Sequence, residues 1–174
     1  KAQRAVELAS GPTGIPEQGA LHLLHHDPKT LGPILFAAHC SSCHRFDGHD
    51  GTGNVPLDTS RAPDLKGFAS RAWLTDLLKP EHIATKRYFG ETAFRNGDMV
   101  RFVNKKVSQF DKEEKLALER AIKALSAEAG LSRQAEAEEV EADLIILGKE
   151  DLGYELGCSD CHDFQFEDEA VDGA

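Results

Sequence analysis

The pentad Cys40-Ser41-Ser42-Cys43-His44 sets two thiols three positions apart, with a histidine directly after the second. The spacing recurs at Cys158-Ser159-Asp160-Cys161-His162. The two motifs use all four cysteines of the chain, so none is left for a disulfide or a separate thiolate site. A zinc ribbon also uses two C-x-x-C pairs, but zinc pairs usually lie much closer than Cys43 and Cys158, and zinc leaves both adjacent histidines unexplained. A thioredoxin-like redox pair would account for one motif at most, and neither follows a strand of the expected kind. C-x-x-C-H is the attachment signature of a c-type haem. Its two thiols add across the porphyrin vinyl groups as thioethers, and the adjacent histidine reaches the iron as proximal ligand.

At 174 residues the chain makes one or two small domains. A haem is a large apolar element and lets a small domain be stable with few core residues. The formal charge is −10, and haem propionates would add to it. That balance argues against nucleic acid or an anionic membrane surface as partner, and for redox partner proteins with a basic docking face. Solubility alone explains the charge equally well. No stretch approaches the roughly 20 apolar residues of a membrane span. Lys1 opens onto a polar segment rather than a leader. Attachment to C-x-x-C-H normally takes place outside the bacterial cytoplasm. The expectation is therefore a mature form, or a soluble piece of something longer, in the periplasm or on the outer face of the cytoplasmic membrane.

Before the first motif, a short helical stretch around Ala5–Leu8 gives way to loop chemistry at Gly11-Pro12-Thr13-Gly14-Ile15-Pro16. His22, His25 and His26 then cluster. They read as surface or interface residues, with haem or metal ligation as the alternative. A helix is expected from Asp27 or Thr30, with Pro28 near its first turn and Leu31, Leu35 and Ala38 at helical spacing. Gly32 stands eight positions before Cys40 and Phe36 four before it.

With a glycine and an aromatic at those offsets, the segment resembles the N-terminal helix of class I cytochromes c. The resemblance implies an all-α fold wrapped around a covalent haem, with Gly32 letting a C-terminal helix cross closely. The run 47–54 is a glycine-rich loop without the strand–helix context of a phosphate loop, and it reads as a wrap around the haem edge. Residues 62–71 resemble the family segment whose proline carbonyl accepts a hydrogen bond from the proximal histidine. On that match Pro63 orients His44, Leu65 packs on the haem, and Arg71 pairs with a propionate, or else is a solvated surface arginine. Ser70 reads as N-cap of a helix over 71–79 that carries Trp73, Leu74, Leu77 and Leu78, ended by Pro80. Trp73 is expected in the core, its indole N–H near a propionate.

Met99 is the only methionine, and it reads as lying in a polar loop rather than on a helical apolar stripe, with Phe102 three residues on. A lone methionine is usually core filler. The resemblance instead makes it the sixth iron ligand, which raises the potential and closes the iron to oxygen or peroxide. Asp111 with Glu114 forms a variant capping box opening a helix to about Ala129, with Leu118, Ala121, Ile122 and Leu125 on one face and Gly130 as its stop. This matches the family's C-terminal helix, with leucine where an aromatic is usual.

These segments place an N-terminal extension at 1–26 and a class I domain at 27–130. An acidic helical linker follows at 131–147, its charge run read as a solvated face, and then the start of a second domain at 148–174. Tyr154 stands before Cys158 as Phe36 does before Cys40, and Asp172 is level with Asn54 of the first copy. The second copy lacks a proline segment and a methionine. A fragment of a longer chain is the simplest inference. The alternative is a histidine ligand from His22, His25, His26 or His82.

Pro16-Glu17-Gln18-Gly19-Ala20, Asp27-Pro28, Gly32-Pro33-Ile34-Leu35-Phe36 and Tyr88-Phe89-Gly90 look similar to the join between cytochrome b and cytochrome c portions in some bacterial quinol-oxidising complexes. The sequence therefore implies a non-enzymatic electron carrier with two haems c. The first is bound by Cys40, Cys43, His44 and Met99, and the second by Cys158, Cys161 and His162 with an open question at its sixth position. Membrane association would come through parts outside this chain. A dihaem cytochrome c peroxidase and a haem-based ligand sensor are the alternatives from other classes.

Overall fold

The computed structural model describes residues 2–164. Asp172, compared above with Asn54, lies outside them. Nine α-helices occur among the described residues: α1 (Ala2–Ala9), α2 (Ala20–His26), α3 (Pro28–His39), α4 (Arg71–Leu77), α5 (Pro80–Ile83), α6 (Asp98–Lys105), α7 (Lys112–Ala127), α8 (Ala135–Val140) and α9 (Ala142–Gly153). Val107–Gln109 and Cys158–Asp160 are single 3₁₀ turns. No strand is found there, only an isolated bridge between Phe46 and His49. The all-α expectation holds. The chain divides into two compact units, one built from the residues up to Lys66 with Glu81–Val100, the other from Gly67–Pro80 with Arg101 onward.

In the first unit α1 packs on α2 and α2 on α3. Pro28 starts α3, where its missing N–H costs nothing, whereas Pro33 inside the helix removes one backbone bond. Asp27 precedes the helix without capping it. Its buried carboxylate instead accepts from Arg4 Nε at 3.0 Å, Arg4 Nη2 at 2.8 Å and Thr30 Oγ1 at 2.7 Å. The Arg4 guanidinium, helped by Thr30, holds the Asp27 carboxyl well below the usual carboxylate range. A carboxyl depressed in the folded state stabilises fully above its unfolded value near 4 and loses that contribution as pH falls. As pH falls below about 4, the hold of Asp27 on α1 should weaken progressively. In Asp27→Asn, α1 exchange protection should already be low at pH 7 and flat with pH. Equal protection in variant and parent would show that the pair does not anchor α1.

No residue of α3 is buried, and Ile34 and Leu35 are exposed. Within this unit, Gly32 has no heavy atom within 4 Å of where its Cβ would stand. The glycine that does fit tightly here is Gly51, with φ +90° and a would-be Cβ 2.9 Å from the Phe36 ring. The core of this unit includes Ile83, Tyr88 and Val100. The chain around Tyr88 folds tightly on itself. Tyr88 N and Gly90 N donate to Thr85 O at 3.0 and 2.8 Å, and Phe89 N donates to Ile83 O at 3.0 Å.

In the second unit Ser70 caps α4 as expected, accepting from Trp73 N at 3.2 Å. The helix ends at Leu77, and Pro80 opens α5 rather than only ending α4. The Asp111–Glu114 capping box is complete, with both reciprocal bonds made. The face that α7 buries is centred on Ala117, Ala121, Ile122 and Ala124, while Leu118 and Leu125 are only half-buried. The expected 131–147 linker is two helices broken at Glu141. That glutamate is not part of a solvated face. It accepts from Lys123 Nζ at 2.8 Å and pairs with Arg71, and Lys123 and Arg71 hold its carboxyl below its ordinary value.

Candidate functional site

Cys40 ends α3, its N–H bonded to Phe36 O at 2.9 Å. A single turn then brings Cys43 N to Cys40 O at 3.1 Å and His44 N to the same carbonyl at 2.9 Å. This short turn puts both thiols and the imidazole on one compact loop. Both cysteines are free thiols and half-buried. His44 Nδ1 lies 2.7 Å from Pro63 O. A carbonyl only accepts, so Nδ1 carries the proton and donates, and Nε2 keeps its lone pair for a metal. The expected partnership of Pro63 with His44 is thus present as geometry.

Pro63 is held there by a chain of bonds that runs back to the pentad. Arg61 N and Ala62 N donate to Cys43 O at 2.9 and 3.1 Å, and Leu65 N donates to Arg45 O at 2.8 Å. Two residues central to this arrangement were missed in the sequence. Buried Arg45 donates to Ser41 O at 2.6 Å, His44 O at 3.0 Å and Asp58 O at 2.6 Å. Buried Asp64 accepts from Asp47 N at 3.0 Å, Gly48 N at 2.7 Å and Lys66 N at 2.8 Å. Each is a charged group satisfied by backbone. The only sequence signal was position: one directly follows the histidine, the other directly follows the proline. The glycine-rich run is closed on itself rather than loose, with Asp50 accepting from Thr52 N at 2.8 Å and Asn54 N at 3.1 Å.

Met99 belongs to the same unit as His44. It lies in the first turn of α6 rather than in a polar loop, and it is half-buried. The next residue, Val100, and Val103 take the buried positions of that helix, so Met99 is not its core residue. Leu65 is half-buried. Trp73 is buried, with the Phe68 ring edge-on at 4.9 Å. Arg71 is not a solvated surface arginine. Nη1 pairs with Glu141, while Nε and Nη2 are buried with no hydrogen-bond partner among the described residues. Unpaired buried donors of a cation are costly, and an anion is what would accept from them.

At the second pentad, Gly157 adopts a left-handed turn (φ +66°) and Cys158–Asp160 a 3₁₀ turn. His162 N reaches Cys158 O at 3.0 Å, repeating the His44–Cys40 bond. Burial pushes the Cys158 thiol up, with the nearby Lys106 cation acting the other way. Cys161 and His162 are exposed. The second copy therefore repeats the turn of the first. No backbone carbonyl partner of the Pro63 kind is found for His162 among the described residues.

His22 and His26 lie one turn apart on α2, with His26 Nδ1 2.8 Å from His22 O. No group of three or more His, Cys, Asp or Glu side chains able to hold a metal ion occurs among the described residues, and no helix there is long and apolar enough to cross a membrane.

An all-helical chain that presents two thiols and a tautomer-fixed imidazole on one turn is built to hold a haem covalently. The sequence pattern of the cytochrome c family matches residues 30–126, more than half of the chain, and the chain belongs to that family. Its fold is the all-α cytochrome c fold, its cofactor is covalently bound haem c, and its chemistry is haem-based electron transfer. No curated protein and no solved structure matches the chain.

Proposed function

We propose that the chain is a dihaem electron carrier that works outside the bacterial cytoplasm, within or beside a respiratory quinol-oxidising complex. The observation that carries the first site is the His44–Pro63 hydrogen bond, which leaves Nε2 of His44 as the iron-binding nitrogen. The surroundings fit the group. Ile34, Leu35, Phe46, Val55 and Leu57 of the same unit are exposed, and they supply apolar surface of the kind a porphyrin face covers.

Bound haem supplies a one-electron Fe(III)/Fe(II) couple. The chain's residues do the rest. Cys40 and Cys43 would tether one haem and Cys158 and Cys161 the second, with His44 and His162 as the imidazoles that would bind iron. Met99 would supply a second protein ligand to the first iron, and a thioether there favours the ferrous state and outer-sphere transfer over ligand chemistry. Pro63 fixes the orientation of the imidazole and Arg45 ties down its loop. The net charge of −10 suits docking to a basic partner face.

The test is the intact mass of the chain from a host with c-type haem maturation, read as haems per polypeptide. Two are expected, falling to one in Cys158→Ser/Cys161→Ser. A single haem in the parent chain would leave only the first pentad as a working site. Rapid peroxide turnover with loss of the distal ligand would instead favour a peroxidase.

A further inference from the structure

We infer that α7 is the scaffold of the second haem-attachment motif, and that Gly148, Arg120 and Lys106 are positioning residues for the haem bound at Cys158, Cys161 and His162. This rests on the two-haem reading above.

Four observations in one unit support it. First, α9 crosses α7 with backbones in contact. A Cβ at buried Gly148 would stand 2.1 Å from Arg120 O and 3.0 Å from Ala121 N, so only glycine fits. Opposite it, α7 offers the small buried residues Ala117, Ala121 and Ala124. Second, one turn beyond the crossing, Arg120 grips Asp151 with two bonds, Nε at 2.7 Å and Nη2 at 2.9 Å. A bidentate guanidinium–carboxylate pair fixes direction as well as distance, so α9 can neither slide nor turn on α7.

Third, the chain leaving α9 stays clamped. Leu152 and Leu156 are buried, and Leu156 N returns to Asp151 O at 2.9 Å. Fourth, Lys106 Nζ donates to Leu156 O at 3.4 Å and lies 3.3 Å from where a Gly157 Cβ would stand. Cys158 follows at once. A close helix crossing is therefore found on the helix that leads into the second pentad. An anchored lead-in would set where Cys158, Cys161 and His162 stand toward a bound haem. The second haem site is thus held by a helix that, but for its last residue Ala127, lies inside the segment matching the family.

The test uses the haem-loaded full chain. Backbone exchange of residues 144–153 is read by mass spectrometry, alongside the electron paramagnetic spectrum and midpoint potential of each haem. Gly148→Val should cost the 144–153 segment about tenfold or more in protection. It should also shift the second haem's signals while those of the first stay in place. Arg120→Asp should act in the same direction, and Arg120→Asp/Asp151→Arg should restore part of the loss, which guards against simple misfolding of one variant. Unchanged protection in Gly148→Val would overturn the crossing. Lost protection with an unmoved second-haem spectrum would overturn the positioning role alone. One haem in the parent chain would overturn the two-haem reading itself, and the positioning role with it.

Discussion

Met99→Ala is expected to lower the first haem's reduction potential by on the order of 100 mV, a modest part of the roughly 0.8 V that axial ligands command. It should also open the ferrous iron to carbon monoxide. A thioether is a weak donor that stabilises Fe(II), and water or an empty position in its place does not. The structure sharpens the expectation, because Met99 occupies the first turn of α6 beside Val100 without taking a core position. Stability should then fall less than for a buried methionine, whose truncation costs about 2–5 kcal/mol. Potentiometry with carbon monoxide titration decides the matter. An unchanged potential and unchanged ligand-field bands would remove Met99 from the iron.

The second large effect concerns folding. Gly90→Ala should destabilise the protein by about 2–3 kcal/mol, a sizeable part of the 5–15 kcal/mol that small domains possess. The new methyl would stand 2.3 Å from Ala84 O and 2.8 Å from Thr85 O. Both are backbone atoms, which cannot swing aside as a side chain could. They also belong to the turn that Tyr88, Phe89 and Gly90 close with their own N–H groups. Relief requires breaking that turn and exposing fully buried Tyr88 and Ile83. Denaturant midpoints of parent and variant, with equal slopes, would measure the loss. A change below about 0.5 kcal/mol, the ordinary range for surface substitutions, would show that the turn gives way more easily than its packing implies.

Local chemistry was the legible part. The capping box at Asp111 and Glu114, the Ser70 cap and the Pro28 start depend on neighbours a few residues apart, and each formed as its residues require. The Met99 segment misled because polar residues such as Asn96, Asp98 and Arg101 read as a loop. Asp98 is instead an acidic residue in a first helical turn, where the helix dipole favours it. The acidic run misled in the opposite sense. Composition treats Glu141 like its neighbours, but two cations from distant positions, Arg71 and Lys123, converge on it.

The sequence by itself determined the chemistry: both pentads, the helical class and the His44–Pro63 partnership follow from residue types at short or family-typical spacing. Tertiary structure decided which helices meet and which charges are buried. Gly32 and Gly148 look alike in sequence, each a glycine inside a helix ahead of a haem motif. Only one has a backbone 2.1 Å from its missing Cβ. Arg45 and Asp64 likewise look like surface charges until distant carbonyls and amides close around them. The reason is common to both cases. A close crossing or a buried charge depends on groups far apart along the chain, and hydrophobic periodicity and caps do not encode such distances.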